Sequence, residues 1–326
     1  MSDGRTRLQA RSADGTRISV EVHEPERPGS PTVVLVHGWT CAASVWEPVI
    51  AELAGRVRVV AYDQRGHGAS DPAGPGRCST GALADDLAAV LDAAVPAGEL
   101  PVLAGHSMGG MAIMAVAGRG PLSRRASGVL LASTACLSRT TGGLPLAGGL
   151  PSPAELSRHL LLTSPLPLGP VTAISRAALR YLTLGPGASG ELTRTTAAMV
   201  HACDRRTRAA WGRVMVNLDL TGALAGIDVP ARVLVGSRDR LTPPPHARRI
   251  ASLLPRCAGL TELPGAGHMT PLEDPGTVAR LIRELAAGVP AAGVPAAGAT
   301  AASARQTAAG GPGPGVAGSA ASGSAT

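Results

Sequence analysis

Hydrophobic and polar positions follow two different periods along the chain, and the switches between them outline its elements. Near the start, Ile18, Val20 and Val22 alternate with polar neighbours, and Ala13-Asp14-Gly15 separates them from an earlier short run. That pattern predicts a hairpin of Leu8–Arg11 and Arg17–His23. After a Pro/Gly loop at 25–31 the alternation gives way to unbroken apolar runs. Thr32–Val36, Arg58–Tyr62 and Gly128–Ala132 read as strands covered on both sides, and the run ending at Gly105, Arg232–Val235 and Leu260–Leu263 read as further strands.

Between these runs apolar residues recur at helical spacing. Ser44 and Glu47 read as an S-x-x-E capping box ahead of VWEPVIAELA. Ser79 or Thr80 can cap the next helix, in which Leu83, Leu87, Val90 and Leu91 form one stripe. A segment MAIMAVAG follows Gly110, and a last helix spans roughly Pro275–Ala287, stopping near Gly288. Strands alternating with helices predict an α/β chain with a doubly wound, mostly parallel sheet, whose ligands sit beyond the carboxyl ends of the strands.

From about Ala135 to Leu220 the alternation stops. Val171, Ile174, Ala178 and Leu182 fit one helix face, and Trp211, Val214, Met215 and Leu218 fit another, which predicts a helical cap inserted over the sheet. The chain thus divides into core (1–134), cap insertion (135–220), core again (221–288) and a tail (289–326). The tail is dominated by Ala, Gly, Pro, Ser and Thr, repeats GVPAAGVPAAG, and lacks the large side chains that offset the entropy of ordering; it is expected to be disordered.

Composition changes this picture little. At 44% hydrophobic residues a sizeable core is available, although Phe is absent and Leu, Val, Ile and Met must pack it. All 30 basic residues are Arg, and the formal charge is +7. Their densest group, Arg205, Arg206, Arg208 and Arg213, has no interleaved aromatics to stack on bases, so it reads as a solvated helix face and no nucleic-acid partner is expected. Five widely spaced cysteines fit neither a disulfide framework nor a zinc site and are read as free thiols. With no apolar leader at the N-terminus and no run of 18 apolar residues, the expectation is a cytoplasmic protein without a membrane span.

The chemistry concentrates at Gly105-His106-Ser107-Met108-Gly109. G-x-S-x-G alone is a weak signal in a Gly-rich chain. Between a strand and a helix, however, it sets a serine on a sharp turn and aims free helix N–H groups at charge developing beside it. A serine hydroxyl needs a base, and the base needs an orienting group. Asp239 follows one later strand and His268 the next, in the order Ser, Asp, His. His201 and His246 are alternative bases, one in the cap and one within a Pro-led helix; Arg238 or Arg240 is an alternative partner for Asp239. Glu273 and Asp274 sit where a helix begins and read as its caps.

Five motifs in order, each at a strand end, carry a resemblance: His37-Gly38-Trp39, Asp63-x-Arg65-Gly66-His67-Gly68-x-Ser70, Gly105–Gly110, Gly236-x-x-Asp239 and Gly267-His268. Over about 1–288 the chain resembles the α/β-hydrolase fold family, in its capped, esterase- and lipase-like branch. The resemblance implies a triad of Ser107, Asp239 and His268 and an oxyanion hole from the backbone N–H groups of Trp39 and Met108. The helix dipole argues independently for Met108. It also implies that His37, Asp63, Arg65 and His67 brace the loops. Trp39, Met108 and Met111 are expected to contact substrate, a small ester with an apolar moiety, with no cofactor and no metal. Carbon–carbon bond hydrolysis and cofactor-free haloperoxidase or perhydrolase chemistry use the same residues, and a non-catalytic binding protein would keep only the pocket.

Overall fold

The computed structural model describes residues 5–74, 76–138, 159, 160 and 162–288. The tail expectation, and the part of the cap expectation on 139–158, fall outside them. Strands β1 (Arg5–Arg11) and β2 (Arg17–His23) form the hairpin, with Arg11 opposite Arg17. Ile18, Val20 and Val22 point into the core while their neighbours stay partly exposed. β2 pairs antiparallel with β4 (Arg58–Tyr62). The remaining pairings are parallel and involve β3 (Thr32–Val36), β5 (Val102–His106), β6 (Gly128–Ala132), β7 (Ala231–Gly236) and β8 (Cys257–Leu263). Among the described residues the eight strands make one sheet, ordered β1-β2-β4-β3-β5-β6-β7-β8.

Helices cover both faces, which is why every residue of β3, β5 and β6 is buried. On one face, α2 (Thr80–Ala94), α3 (Met108–Ala117) and a later helix contribute Leu83, Leu87, Ile113 and Ile250. On the other, α1 (Glu47–Leu53) and the last helix contribute Val49, Leu53, Val278 and Ile282. Ser79 caps α2 by accepting the Ala82 N–H. The Ser44–Glu47 box does not form: a 3-10 turn over Ala43–Trp46 precedes α1, and neither has a side-chain cap. Asp63 Oδ1, from the loop after β4, accepts the Ala43 N–H at 2.8 Å, and Pro48 pre-sets the first turn of α1.

Between β6 and β7 lie α4 (Ala173–Thr183), α5 (Gly190–Ala202) and α6 (Arg205–Val216). The Trp211 stripe of α6 packs as expected: Trp211 is fully buried in the main core cluster, and its indole N–H donates to the Arg65 carbonyl at 3.2 Å. The other stripe turns outward. Val171 and Ile174 are 49% and 83% exposed, and Ala178 is exposed as well. α4 is held at its C-terminal end, where the Thr183 carbonyl accepts from the His268 and Met269 amides. Arg240 also stacks on Tyr181 there. Periodicity locates such a stripe without saying which way it faces. The arginine cluster also departs from expectation: Arg205, Arg206 and Arg213 are solvated, but Arg208 is buried and its guanidinium donates to the Ser164 and Leu166 carbonyls. Helices α7 (Pro244–Leu253), α8 (Thr270–Glu273) and α9 (Pro275–Ala287) complete the fold.

Candidate active site

Ser107 sits between the last residue of β5 and the first of α3, with φ 53° and ψ −117°. A non-glycine residue in that region is strained, and packing forces it there. A Cβ on Gly109 would stand 2.0 Å from the Val36 carbonyl oxygen, and one on Gly105 would stand 2.6 Å from the Gly109 backbone. β5 and α3 are therefore pressed together, and the chain between them must turn sharply. The Ser107 amide donates to the Ala132 carbonyl at 2.9 Å, while Thr134 Oγ1 donates to the Ser107 carbonyl at 2.7 Å.

The turn brings three distant side chains into one chain of hydrogen bonds. Ser107 Oγ lies 3.0 Å from His268 Nε2, and His268 Nδ1 lies 2.9 Å from Asp239 Oδ2. All three residues are buried, at 7%, 5% and 3% exposure. Asp239 Oδ1 accepts the amides of Leu241 and Thr242, and Oδ2 accepts Thr242 Oγ1 at 2.9 Å. Burial pushes this carboxyl up, but the nearby His268 and the donors from His268 and Thr242 outweigh it, and the group stays below its ordinary value. An ionised Asp239 accepts from Nδ1–H, which leaves the Nε2 lone pair facing the serine hydroxyl.

Trp39 and Met108 flank the serine. Met108 opens α3, so its N–H is among the first four, which have no partner within a helix. Gly38 abuts the serine so closely that a Cβ there would stand 3.1 Å from Ser107 Cβ, which brings the Gly38–Trp39 peptide beside it. The Trp39 indole N–H donates to the Arg208 carbonyl of α6 at 3.0 Å. Met111, one turn into α3, is buried.

A family model described as the alpha/beta hydrolase family matches residues 33–281. The chain belongs to the alpha/beta hydrolase family. It is 30% identical over 291 residues to the probable oxidoreductase EphD of Mycobacterium tuberculosis, a match covering 84% of this chain and 48% of that protein. The chain thus spans about half the length of that relative. It is 28% identical over 253 residues to the pimeloyl-[acyl-carrier protein] methyl ester esterase of Nitrosomonas europaea, covering 76% of this chain and 92% of that one. The solved structure of the esterase RhEst1 from Rhodococcus sp. ECU1013 superposes with a TM-score of 0.69 at 26% identity, covering 86% and 98% of the two chains.

In this alpha/beta hydrolase the other conspicuous polar residues brace the loops. His37 Nε2 accepts the Gln64 amide at 2.9 Å, His67 Nε2 accepts the Thr40 amide at 3.3 Å, and Asp63 accepts the amides of Ala43 and Ala69. Arg65 is buried against Asp86 and also reaches Asp14 and Ser12. Burial lowers His37 to about 4 and His67 to about 3, so both rings stay neutral at physiological pH. The alternative bases lie elsewhere: His201 Nδ1 pairs with the Ala197 carbonyl of its own helix, and His246 is buried in α7. Arg240 donates to the Tyr181 carbonyl, leaving His268 as the partner of Asp239.

Three residues of the site were not singled out for it in the sequence. Thr242, three positions after Asp239, closes a local side-chain turn, a spacing that does carry a signal. His106 donates through Nε2 to the His268 carbonyl at 2.9 Å and is lowered to about 3, first by burial and then by the neighbouring His268. Asp274 caps α9 as expected, accepting the Thr277 amide, whereas Glu273 turns away from the helix toward the His268 loop. A separate groove of about 1240 Å³ runs between the loops after β3 and β4 and helices α5 and α6, past Thr40, His67, Met199 and Arg213. Among the described residues no group of three or more His, Cys, Asp and Glu side chains is placed to hold a metal ion, and no helix is long and apolar enough to cross a membrane.

Proposed function

We propose that the protein is a cofactor-independent serine hydrolase of small carboxylic esters, working through an acyl-enzyme on Ser107. The observation that carries this reading is the unbroken hydrogen-bonded series Ser107–His268–Asp239, with its serine on a strained turn. Pure binding requires neither feature. Ser107 Oγ attacks the ester carbonyl as His268 Nε2 takes its proton, and Asp239 stabilises the imidazolium that forms. The Met108 and Trp39 amides hold the oxyanion of the tetrahedral intermediate. His268 then returns the proton to the leaving alcohol, and a water deprotonated by the same ring releases the acid.

The esterase names of the Nitrosomonas and Rhodococcus relatives support ester substrates. An apolar acyl or alcohol group fits the apolar residues expected at the serine, Trp39 and Met111; the Met108 side chain is fully buried in the main core cluster, so its contribution is its backbone N–H. Among the described residues, α4 to α6 act as the cap over this centre, and Trp39 is tied to α6 through the Arg208 carbonyl.

A nitrophenyl-ester assay with Ser107→Ala tests the assignment. Losing the nucleophile disables the whole triad, so kcat is expected to fall by about 10³-fold or more while the melting temperature stays near that of the wild type. A fluorophosphonate should label Ser107 in the wild type and nothing in the variant. Near wild-type turnover by folded Ser107→Ala would overturn the reading.

A further inference from the structure

The loop that presents His268 has no ladder of its own. It runs from the end of β8 to α8 through Gly265, Ala266 and Gly267, and its polar backbone groups must find partners elsewhere. The amides on either side of His268, those of Gly267 and Met269, both point at one carboxylate, Glu273. Gly267 N lies 2.9 Å from each of its oxygens, and Met269 N lies 3.2 Å from Oε1. A third amide arrives from outside the loop: Gly185, just beyond α4, donates to Oε2 at 2.7 Å. The His268 amide itself donates to the Thr183 carbonyl at 2.8 Å.

Backbones also interlock here. A Cβ on Gly185 would stand 2.0 Å from the Gly265 carbonyl oxygen, and one on Gly267 would stand 2.4 Å from the Leu184 backbone. Segments 183–185 and 265–269 therefore touch without intervening side chains, and Glu273 closes the contact. On the strength of the serine-hydrolase reading above, we infer that Glu273 is a positioning residue: it fixes the His268 imidazole against Ser107 and locks it to the inserted helices at the Thr183–Gly185 junction.

The chemistry explains the residue type. Three N–H donors converge on a side chain that is mostly buried, and only a carboxylate offers acceptor lone pairs on both oxygens. A glutamine in the same place has one accepting oxygen and turns an NH₂ donor toward other donors, which pushes the loop away. Displacing a catalytic group by about 1 Å costs about 10²-fold in rate. The carboxyl is raised by its burial, which these amides offset only in part, so holding it here costs stability that a merely decorative residue would not repay.

The test uses the full chain, with Glu273→Gln, Glu273→Asp and Ser107→Ala in parallel. For folded Glu273→Gln, kcat on a nitrophenyl ester should drop about 10- to 100-fold with KM within about threefold, because the ring moves and the pocket stays. The rate of covalent inactivation by a fluorophosphonate should fall by the same factor, since it depends on His268 activating Ser107. Glu273→Asp, which keeps the carboxylate, should recover part of both. A Glu273→Gln variant whose kcat stays within about twofold of wild type, or which alters only KM or only the melting temperature, overturns the inference. If neither Glu273 variant folds, hydrogen exchange on the wild type decides: slow, jointly protected amides at Gly185, Gly267 and Met269 uphold it, and exchange at open-loop rates overturns it. Should Ser107→Ala itself keep turning over, the hydrolase reading is what fails; if Ser107→Ala is inactive and Glu273→Gln is not, only the role of Glu273 falls.

Discussion

At Ser107 the backbone works against the fold. Its φ of 53° with ψ −117° costs a side-chain-bearing residue on the order of 1–3 kcal/mol, which Gly escapes. Gly ordinarily lies about 0.5–1 kcal/mol below Ala because the unfolded chain gains freedom. Here relief of strain outweighs that loss. Both Ser107→Ala and Ser107→Gly lose the hydroxyl and its bond to His268, so comparing them isolates the backbone. The Gly variant is expected to melt at or above the Ala variant, reversing their usual order. A Gly variant that unfolds several degrees below the Ala variant would show that the turn is unstrained.

At the scale of elements, the ends of β3, β4 and β5 matter most. Each leads into a loop or ends in a residue whose histidine is buried: His37, His67 and His106. Burial lowers all three, to about 4, 3 and 3, from an unfolded value near 6.5. Between pH 6.5 and about 4 the unfolded chain therefore takes up protons that the folded chain refuses. Stability is fully present above 6.5 and declines as pH falls through this window. Glu273, raised by burial, pulls the other way, one group against three. Asp239, held below its ordinary 3.8, loses its contribution only at still lower pH. Melting temperatures measured from pH 8 to 4 should be flat at first and then fall, and His67→Gln should flatten the fall; a melting temperature that rises on acidification would contradict this account.

These strand ends also show what the residues disclosed in advance. The central strands were legible because a run without a polar face has few other uses, and Ser107 and Asp239 stand just after such runs; His268 follows β8, an edge strand that carries Thr261 and Glu262 and is mostly not buried. What escaped was direction and destination. Ile174 lies on a real stripe that faces outward, since its helix is anchored at Thr183 and not along its apolar side. Ser44 and Glu47 had the spacing of a cap, but Ser44 lies inside a 3-10 turn and Trp46 takes the N-cap place of α1, so the pair does not straddle a helix start. Glu273 and Asp274 look alike in sequence. One gathers amides from its own loop and from the distant Gly185, and the other caps a helix, a difference the sequence pattern does not carry.

Across the whole molecule, the insertion between β6 and β7 divides the site as well as the sheet. Ser107 and both proposed oxyanion amides precede it, while Asp239 and His268 follow it. The two halves meet along the β6–β7 ladder and where α9 packs back against α1. Expressed as separate polypeptides, 1–138 and 159–326, neither half owns a complete Ser–His–Asp set. Ester turnover in a mixture of them then becomes a signal of reunion: zero from each half alone, rising with concentration, and steeper when the halves are fused to two proteins that attract each other. Turnover by the first half alone would remove Asp239 and His268 from the mechanism. The division that makes the site dependent on long-range folding thus makes the enzyme a natural proximity reporter.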